Sequence, residues 1–319
     1  MNNVHNSFYE FHNKILDYAG LFPPAKLDLE TAIRNYVYYK KQSDSWMLGK
    51  FIIPHNQLIE LINNEFLPRD NSKSEFSVLG GTFSNLIDFQ KDLEVLFRNI
   101  KTFENKLNDL VLVKTLELKI PSVKDYGLIL NFIQSTLTSI ENDSIDEIFL
   151  EIENEDDLNI LLKELSVFNS KNISSNLPYI GFKIRTGGVV STAFPTTKLI
   201  ENVIISCSKY NIKFKATAGL HHPLRHYNDS VLTKMHGFLN VIGGSILFTS
   251  GKIDENVLSE LLNDEDPNNF IFTKNSFSWK NFTVSYEEIK EKRSNNFISF
   301  GSCSFDEPRE DLKKLKLLP

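Results

Sequence analysis

This chain of 319 residues has very few cysteines and no long hydrophobic run. Its only cysteines are Cys207 and Cys303, so no disulfide framework is expected, and such scarcity is typical of a reducing cytoplasm. No apolar stretch approaches the ~18 residues of a membrane span. The N-terminal residues lack the basic start and apolar core of a signal peptide. We therefore expect a cytoplasmic protein that does not enter a membrane.

The chain also lacks a run of basic residues. It carries 35 Lys and Arg against 41 Asp and Glu, for a formal charge of -6. This balance argues against nucleic acid or an anionic membrane as the main partner. A hydrophobic fraction of 41% is enough for a sizeable core. We expect a small-molecule partner, and the sequence leaves open whether the chain forms a homo-oligomer.

Strand-like segments recur about every 30 residues, with amphipathic helix-like stretches between them. The segments are YAGLFPP (18–24), MLGKFIIP (47–54), EFSVLGG (75–81), LVLVKTLELKIP (110–121), DEIFLEIE (146–153), YIGFKIRTGG (179–188), IKFKATAGL (212–220) and FLNVIGGSIL (238–247). Eight such units predict an α/β fold, a (β/α)8 TIM-type barrel over residues 1–250. Residues 251–319 are expected to form a C-terminal extension packed on the barrel in the same domain. A doubly wound open sheet is the alternative.

Charged residues interrupt several of these apolar strands. Side chains on a barrel strand alternate between the interior and the helix layer, and the apolar phase should face the helices. The opposite phase then places charges at the interior mouth, namely Glu117, Lys119, Glu151, Glu153, Lys183, Arg185 and Lys215. Burying such a charge costs several kcal/mol unless it is paired. Because barrel enzymes place their chemistry at the carboxyl end of the strands, we predict a small polar site there.

Two of these charges, Lys183 and Lys215, lie one strand-crossover-strand unit apart in the sequence. Desolvation and a nearby second cation both disfavour the ammonium form of a lysine, which would make Lys183 nucleophilic. An uncharged amine can attack a carbonyl and form a Schiff base, with Glu117 or Glu151 moving the proton. The alternative for each lysine is a structural ion pair with a glutamate on the next strand.

The strings FKIRTGG around Lys183, FKATAGL around Lys215 and VIGGS at 241–245 carry a family resemblance. Over residues 181–245 the chain resembles the deoxyribose-phosphate aldolase family of class I aldolases. The resemblance implies that Lys183 forms the Schiff base and that Lys215 tunes it. The segment LHHPLRHYN differs from the family's phosphate-holding loop, and the family's proton-relaying aspartate has no clear match here.

Other residues are candidates for binding the substrate, which we expect to be anionic. Two arginines could clamp a carboxylate or phosphate, and imidazoles just beyond the seventh strand could contact it. Glycine pairs at the ends of the sixth and eighth predicted strands could offer backbone amides to an anion. These substrate-binding candidates are Arg185, His221, His222, Arg225, Gly187, Gly188, Gly243 and Gly244.

Three functional hypotheses follow. The first is a Schiff-base lyase of the class I aldolase type, with Lys183, Lys215, Glu151 and Glu117 as catalytic residues and no cofactor. The second is a hydrolase or isomerase that uses histidine acid/base chemistry or a divalent metal held by His221, His222 and Glu151. The third is a non-catalytic barrel that binds an anionic ligand or a partner protein.

Overall fold

The computed structural model describes residues 5–62, 67, 73–107, 110–140 and 144–318. The strands of this part of the chain are β1 (Leu16–Tyr18), β2 (Leu48–Pro54), β3 (Ser74–Leu79), β4 (Val111–Lys119), β5 (Glu147–Glu151), β6 (Tyr179–Arg185), β7 (Phe214–Thr217), β8 (His226–Asn228), β9 (Thr233–Met235), β10 (Phe270–Phe272), β11 (Ser276–Trp279), β12 (Phe282–Ser285) and β13 (Phe297–Ser302). The helices are α1 (Asn6–His12), α2 (Leu29–Tyr39), α3 (Leu58–Ile62), α4 (Leu86–Leu107), α5 (Tyr126–Ile140), α6 (Leu158–Lys171), α7 (Thr197–Tyr210), α8 (Phe238–Thr249), α9 (Glu255–Asn263), α10 (Tyr286–Asn295) and α11 (Asp306–Lys314).

Eight of the strands form a closed parallel barrel in the order β1-β13-β7-β6-β5-β4-β3-β2. Helices alternate with the strands, so the predicted (β/α)8 TIM-type barrel is confirmed. Strand order follows chain order from β2 to β7, as expected when each crossover returns the chain to the neighbouring position of the sheet. Among the described residues, no helix is long and apolar enough to cross a membrane.

The chain divides into two compact units. The central unit comprises Leu27–Lys41 and Lys50–Lys183, and the terminal unit comprises Met1–Lys26, Gln42–Gly49 and Ile184–Pro319. The division falls inside β2 and β6, so each unit contains several neighbouring barrel strands.

In the central unit, the helices cover one face of the strands with apolar side chains. On α4 the buried positions recur every three or four residues, which is the spacing of one helix face. They are Phe89, Leu93, Leu96, Phe97, Ile100 and Phe103. Phe103 packs edge-on against Phe76 of β3, with ring centroids 5.2 Å apart. The outward face of these strands is thus apolar, which leaves the inward face for polar side chains.

The prediction of a strand over residues 238–247 is wrong, because this segment is the helix α8. Gly243 and Gly244 therefore lie inside a buried helix and do not end a strand. A Cβ on Gly243 would meet Phe277 at 2.8 Å, and one on Gly244 would meet Leu258 at 2.9 Å. Their small size thus allows other elements to approach α8 closely.

The eighth barrel strand is β13, which lies in the segment expected to be an extension. It pairs with β1 on one side and with β7 on the other. The first strand also differs from the prediction, since β1 ends at Tyr18, where the predicted segment begins. In the register of β1 with β13, Asp17 lies opposite Gly301.

Between α8 and β13 the chain inserts α9, a three-stranded antiparallel sheet of β10, β11 and β12, and α10. Arg293 of α10 is buried and donates hydrogen bonds to backbone carbonyls of Phe11, Asn13 and Ile298. Burial lowers the pKa of this guanidinium to about 10, a range in which it stays charged near neutral pH. Arg293 therefore joins the segments that enter β1 and β13.

His12, at the end of α1, is a fully buried imidazole among aromatic rings. Its Nδ1 lies 2.9 Å from the carbonyl oxygen of Phe8 and donates to it, since a carbonyl can only accept. Within the described part of the chain, its Nε2 has no hydrogen-bond partner. Burial, the largest cause, lowers the pKa of His12 to about 3. The neutral ring is therefore the native form.

This lowered pKa predicts acid sensitivity. The unfolded chain binds a proton at His12 below pH ~6.5 while the folded chain does not, so stability falls as pH decreases from about 6.5 towards about 3. Between pH 7 and pH 5 we expect His12 to account for a loss of about 2 kcal/mol in the free energy of unfolding. Urea titrations of the wild type and His12→Leu across this range should show a shallower pH dependence in the variant. His5→Leu, at an exposed position, serves as the control; parallel curves for the wild type and His12→Leu would contradict the prediction.

Candidate functional site

The central unit places one lysine between two glutamates on neighbouring barrel strands. Glu117 lies on β4 between the buried Leu116 and Leu118, and Glu151 is the last residue of β5. Lys183 lies on β6 beside the buried Phe182. Because alternate residues of a strand face opposite sides, the apolar neighbours face the helices and the three charged side chains face inward.

The three charged side chains form a buried cluster. Lys183 Nζ lies 2.8 Å from Glu151 Oε2 and 3.2 Å from Glu117 Oε2. The side chains of Lys183, Glu117 and Glu151 are only 5%, 1% and 10% exposed. One ammonium and two carboxylates give the cluster a formal charge of -1. Such a cluster can hold the lysine in place and can accept its proton at a carboxylate.

Ser77 on β3 adds a hydroxyl to this cluster, whereas the hydroxyl of Thr115 on β4 does not bond to it. Ser77 Oγ donates a 2.7 Å hydrogen bond to Glu117 Oε1, so the two oxygens of Glu117 have different partners. Thr115 lies opposite Ser77 in the strand register and is fully buried. Its Oγ1 has no hydrogen-bond partner among the described residues. Ser77 could not be predicted from the sequence, because a serine in an apolar strand carries no charge signal.

Other charges predicted for the interior mouth are more exposed. Lys119 and Glu153 form an ion pair at 3.6 Å, and the Glu153 side chain is 78% exposed. Arg185, at the end of β6, is also exposed. The alternation of side chains holds within the strands, but these three residues lie at or beyond the strand ends, where solvent is accessible.

In the terminal unit, Lys215 has a buried carboxylate of its own. Its Nζ lies 2.7 Å from Asp17 Oδ2, and both side chains are 0% exposed. Ser299 Oγ donates to the same oxygen at 2.6 Å. The carboxylate requires space beside β2, since a Cβ on Gly49 would lie 2.4 Å from Asp17 Oδ1. Asp17 could not be predicted as this partner, because it lies 198 residues from Lys215 in a strand of three residues.

The glycine pair after β6 lies against the loop after β7. Thr186 donates its backbone N–H to the Thr217 carbonyl at 2.8 Å. The Thr186 hydroxyl also donates to the Ala218 carbonyl. A Cβ on Gly187 would come within 2.7 Å of the Gly219 Cα, so the two backbones meet at their glycines. Gly219 also has a φ of +76°, which favours glycine.

The two adjacent histidines after β7 contact α11. His221 Nδ1 lies 3.2 Å from Ser302 Oγ and 3.3 Å from Glu307 Oε2. His222 Nδ1 lies 2.5 Å from Asp311 Oδ2. The hydrogen bond with His221 is the main cause of a lowered pKa for Glu307. The pKa of Asp311 is lowered as well. Burial raises this pKa, but the hydrogen bonds with Lys314 and His222 lower it and outweigh burial.

The first turn of α11 offers little to a bound anion. Its side chains include the carboxylates of Asp306 and Glu307. The Glu307 N–H is already bonded to Ser304 Oγ at 3.1 Å, and Pro308 has no N–H to donate. Many barrels hold phosphate at the loops after the last two strands and a helix N-terminus. Here that helix start would repel a phosphate.

Arg225, a candidate for clamping an anion, contacts His236. Its Nη1 lies 3.0 Å from His236 Nδ1, and His236 Nε2 donates to the Pro195 carbonyl at 2.7 Å. Burial is the main cause that lowers the pKa of His236 to about 4, so the ring is neutral and can accept at Nδ1. Burial also lowers the pKa of Arg225.

Metal ligation and thiol chemistry find little support. Within the described ranges, no group of three or more His, Cys, Asp or Glu side chains could hold a metal ion. Glu151, named as a ligand for that alternative, contacts Lys183, while His221 and His222 contact carboxylates of α11. Cys303 is buried, and burial is the main cause that raises its thiol pKa and so disfavours the nucleophilic thiolate.

Sequence comparisons assign no family to these features. No protein-family model matches the chain, and no curated protein matches it either. The buried cluster of Lys183, Glu117, Glu151 and Ser77 is therefore the main basis for a functional assignment.

Proposed function

We propose that the chain is a barrel enzyme that forms a Schiff base between Lys183 and a small carbonyl compound, as a class I aldolase-like lyase does. The observation that carries the proposal is the buried contact of Lys183 Nζ with two carboxylates on inward faces of parallel barrel strands. A structural ion pair needs one carboxylate for one ammonium. The second carboxylate gives the cluster a proton acceptor while a counter-ion remains in place.

The reaction begins when a carboxylate takes a proton from the Lys183 ammonium. The uncharged amine attacks the carbonyl carbon, and the carbinolamine loses water to give a protonated imine. The imine withdraws an electron pair from the adjacent bond, which allows a C–C bond to break or form or an α-proton to leave. A carboxylate of the cluster returns the proton. Hydrolysis of the imine then releases the product and regenerates Lys183.

In this proposal Lys215 keeps the tuning role that the sequence predicts. The Lys215 amine already contacts a buried carboxylate, that of Asp17, so we assign the imine to Lys183 alone. The substrate is a small aldehyde, ketone or 2-oxo acid without a phosphate group, because the segment LHHPLRHYN differs from the phosphate-holding loop of the family that the chain resembles. No cofactor is needed for this chemistry.

The test is imine trapping. We expect purified protein, incubated with small aldehydes, ketones and 2-oxo acids and then reduced with borohydride, to carry an adduct at Lys183. Peptide mass spectrometry locates it, and glyceraldehyde compared with glyceraldehyde 3-phosphate tests the preference for unphosphorylated compounds. Samples without borohydride or without a carbonyl compound are the controls. A blank across the panel, or an equal spread of adducts over surface lysines, would rule out the proposal.

The histidine acid/base alternative is less well supported by the contacts. A nucleophile–histidine–carboxylate relay needs the nucleophile on one ring nitrogen and the carboxylate on the other. Both Ser302 Oγ and Glu307 Oε2 approach the same atom, Nδ1 of His221. His222 likewise has its closest carboxylate contact at Nδ1. These imidazoles therefore form a pairing network between the β7 loop and α11.

A further inference from the structure

The two glutamates that contact Lys183 differ in their surroundings. Glu117 is 1% exposed, and its Oε1 accepts a hydrogen bond from Ser77 while its Oε2 contacts Lys183. Glu151 approaches Lys183 Nζ more closely, at 2.8 Å against 3.2 Å, and its side chain is 10% exposed. The cluster therefore has one deeply buried carboxylate with a hydroxyl donor and one closer, more accessible carboxylate.

A hydroxyl that donates to a carboxylate favours the charged form, because the bond to an ionised acceptor is the stronger one. Ser77 is fully buried and its Oγ lies 2.7 Å from Glu117. Protonation of Glu117 would weaken this bond in a place where water cannot replace it. The bond from Ser77 thus favours the carboxylate form of Glu117, whereas Glu151 lies nearer to solvent.

We propose that Glu151 is the residue that moves the protons in the reaction at Lys183, and that Ser77 is a positioning residue that keeps Glu117 charged. This inference rests on the proposed Schiff-base function. It assigns different roles to two glutamates that the sequence left as equivalent candidates. Ser77 acts through Glu117 and does not touch the reacting atoms.

The proton balance is consistent with these roles. Glu151 takes one proton from the Lys183 ammonium, and the amine adds to the carbonyl carbon. A proton then moves from the nitrogen to the oxygen, giving a carbinolamine. Glu151 returns its proton to the hydroxyl, which leaves as water, and the nitrogen becomes a protonated imine. One positive charge faces Glu117 at the start and at the end, so Glu117 need not change its protonation.

The experiment compares rates of borohydride trapping at Lys183 across pH 5 to 9, with a carbonyl compound that labels the wild type. We expect Glu151→Gln to slow trapping at least about 100-fold at every pH, the usual effect of losing a proton carrier. Glu117→Gln should slow it less. In Ser77→Ala the acid limb of the profile should move up by about one pH unit, since Glu117 loses the donor that favours its charge.

Two further variants test whether Ser77 acts through its hydroxyl on Glu117 or only through the packing of its side chain. Ser77→Thr keeps a hydroxyl and should restore the wild-type profile. Thr115→Val removes a neighbouring buried hydroxyl on β4 that has no hydrogen-bond partner among the described residues, so it should leave the profile unchanged. Thermal melts show whether each variant is folded.

The possible results distinguish this inference from the proposed function. A wild type that gives no adduct at Lys183 would overturn both. A labelled wild type with equal losses in Glu117→Gln and Glu151→Gln would overturn the assignment of Glu151. A labelled wild type in which Ser77→Ala and Thr115→Val share one profile would overturn the role of Ser77.

Discussion

Replacement of Lys183 with arginine is expected to remove the trapped adduct and to lower any carbonyl-dependent turnover by more than about a thousand-fold. Arginine keeps a positive charge opposite Glu117 and Glu151, but its guanidinium does not form an imine. The charge balance of the buried cluster is therefore preserved while the nucleophile is lost. Trapping followed by peptide mass spectrometry, together with thermal melting, measures the two effects separately.

Lys183→Met removes the positive charge together with the nucleophile. It leaves two buried carboxylates without the ammonium between them, so it should lose the adduct and also destabilise the fold by about 3 kcal/mol or more. Lys119→Met is the matched control, because Lys119 is partly exposed and its partner Glu153 is at the surface. This control should retain the adduct and lose less than about 1 kcal/mol. An adduct that persists in Lys183→Arg would show that another lysine reacts.

The second large effect is expected at Asp17, whose carboxylate is fully buried against Lys215. Asp17→Asn removes the negative charge but leaves the lysine ammonium in a 0% exposed position. Breaking a buried pair from one side costs about 3–5 kcal/mol, because the other charge remains desolvated. We therefore expect a fall of that size in the free energy of unfolding, measured by urea titration at pH 7.

A double-mutant cycle tests the cause. Asp17→Asn combined with Lys215→Met removes both charges, so the double variant should be more stable than the sum of the single effects predicts. The exposed pair of Lys280 and Glu260 in the same unit is the control, and Glu260→Gln should cost less than about 1 kcal/mol. Additive single effects in the Asp17–Lys215 cycle would argue against a buried ion pair.

Sequence periodicity is sufficient to predict seven of the eight barrel strands, although it places the first a few residues too late in the chain. It failed at residues 238–247, because a wholly buried helix and a wholly buried strand are both continuous apolar runs. In α8, Gly243 and Gly244 serve helix packing against Phe277 and Leu258, yet in the sequence a glycine pair resembles a strand end. A prediction that takes this segment as the eighth strand leaves no barrel position for β13.

The polar residues of the barrel interior were likewise predictable only in part. Alternation within β4, β5 and β6 places Glu117, Glu151 and Lys183 on the inward face, and the structure brings these three side chains together. The partners of Lys215 could not be predicted, because Asp17 and Ser299 lie on strands from opposite ends of the chain. No local pattern links residues separated by 198 positions.

By itself the sequence determined the repeating strand–helix architecture and the inward phase of Glu117, Glu151 and Lys183. Both depend on local periodicity, which short segments of these strands and helices already carry. Only the tertiary structure decided which strand closes the barrel, which carboxylate pairs with each lysine, and that Ser77 donates to Glu117. Those choices depend on distances between residues far apart in the chain, and such distances exist only after the strands have paired.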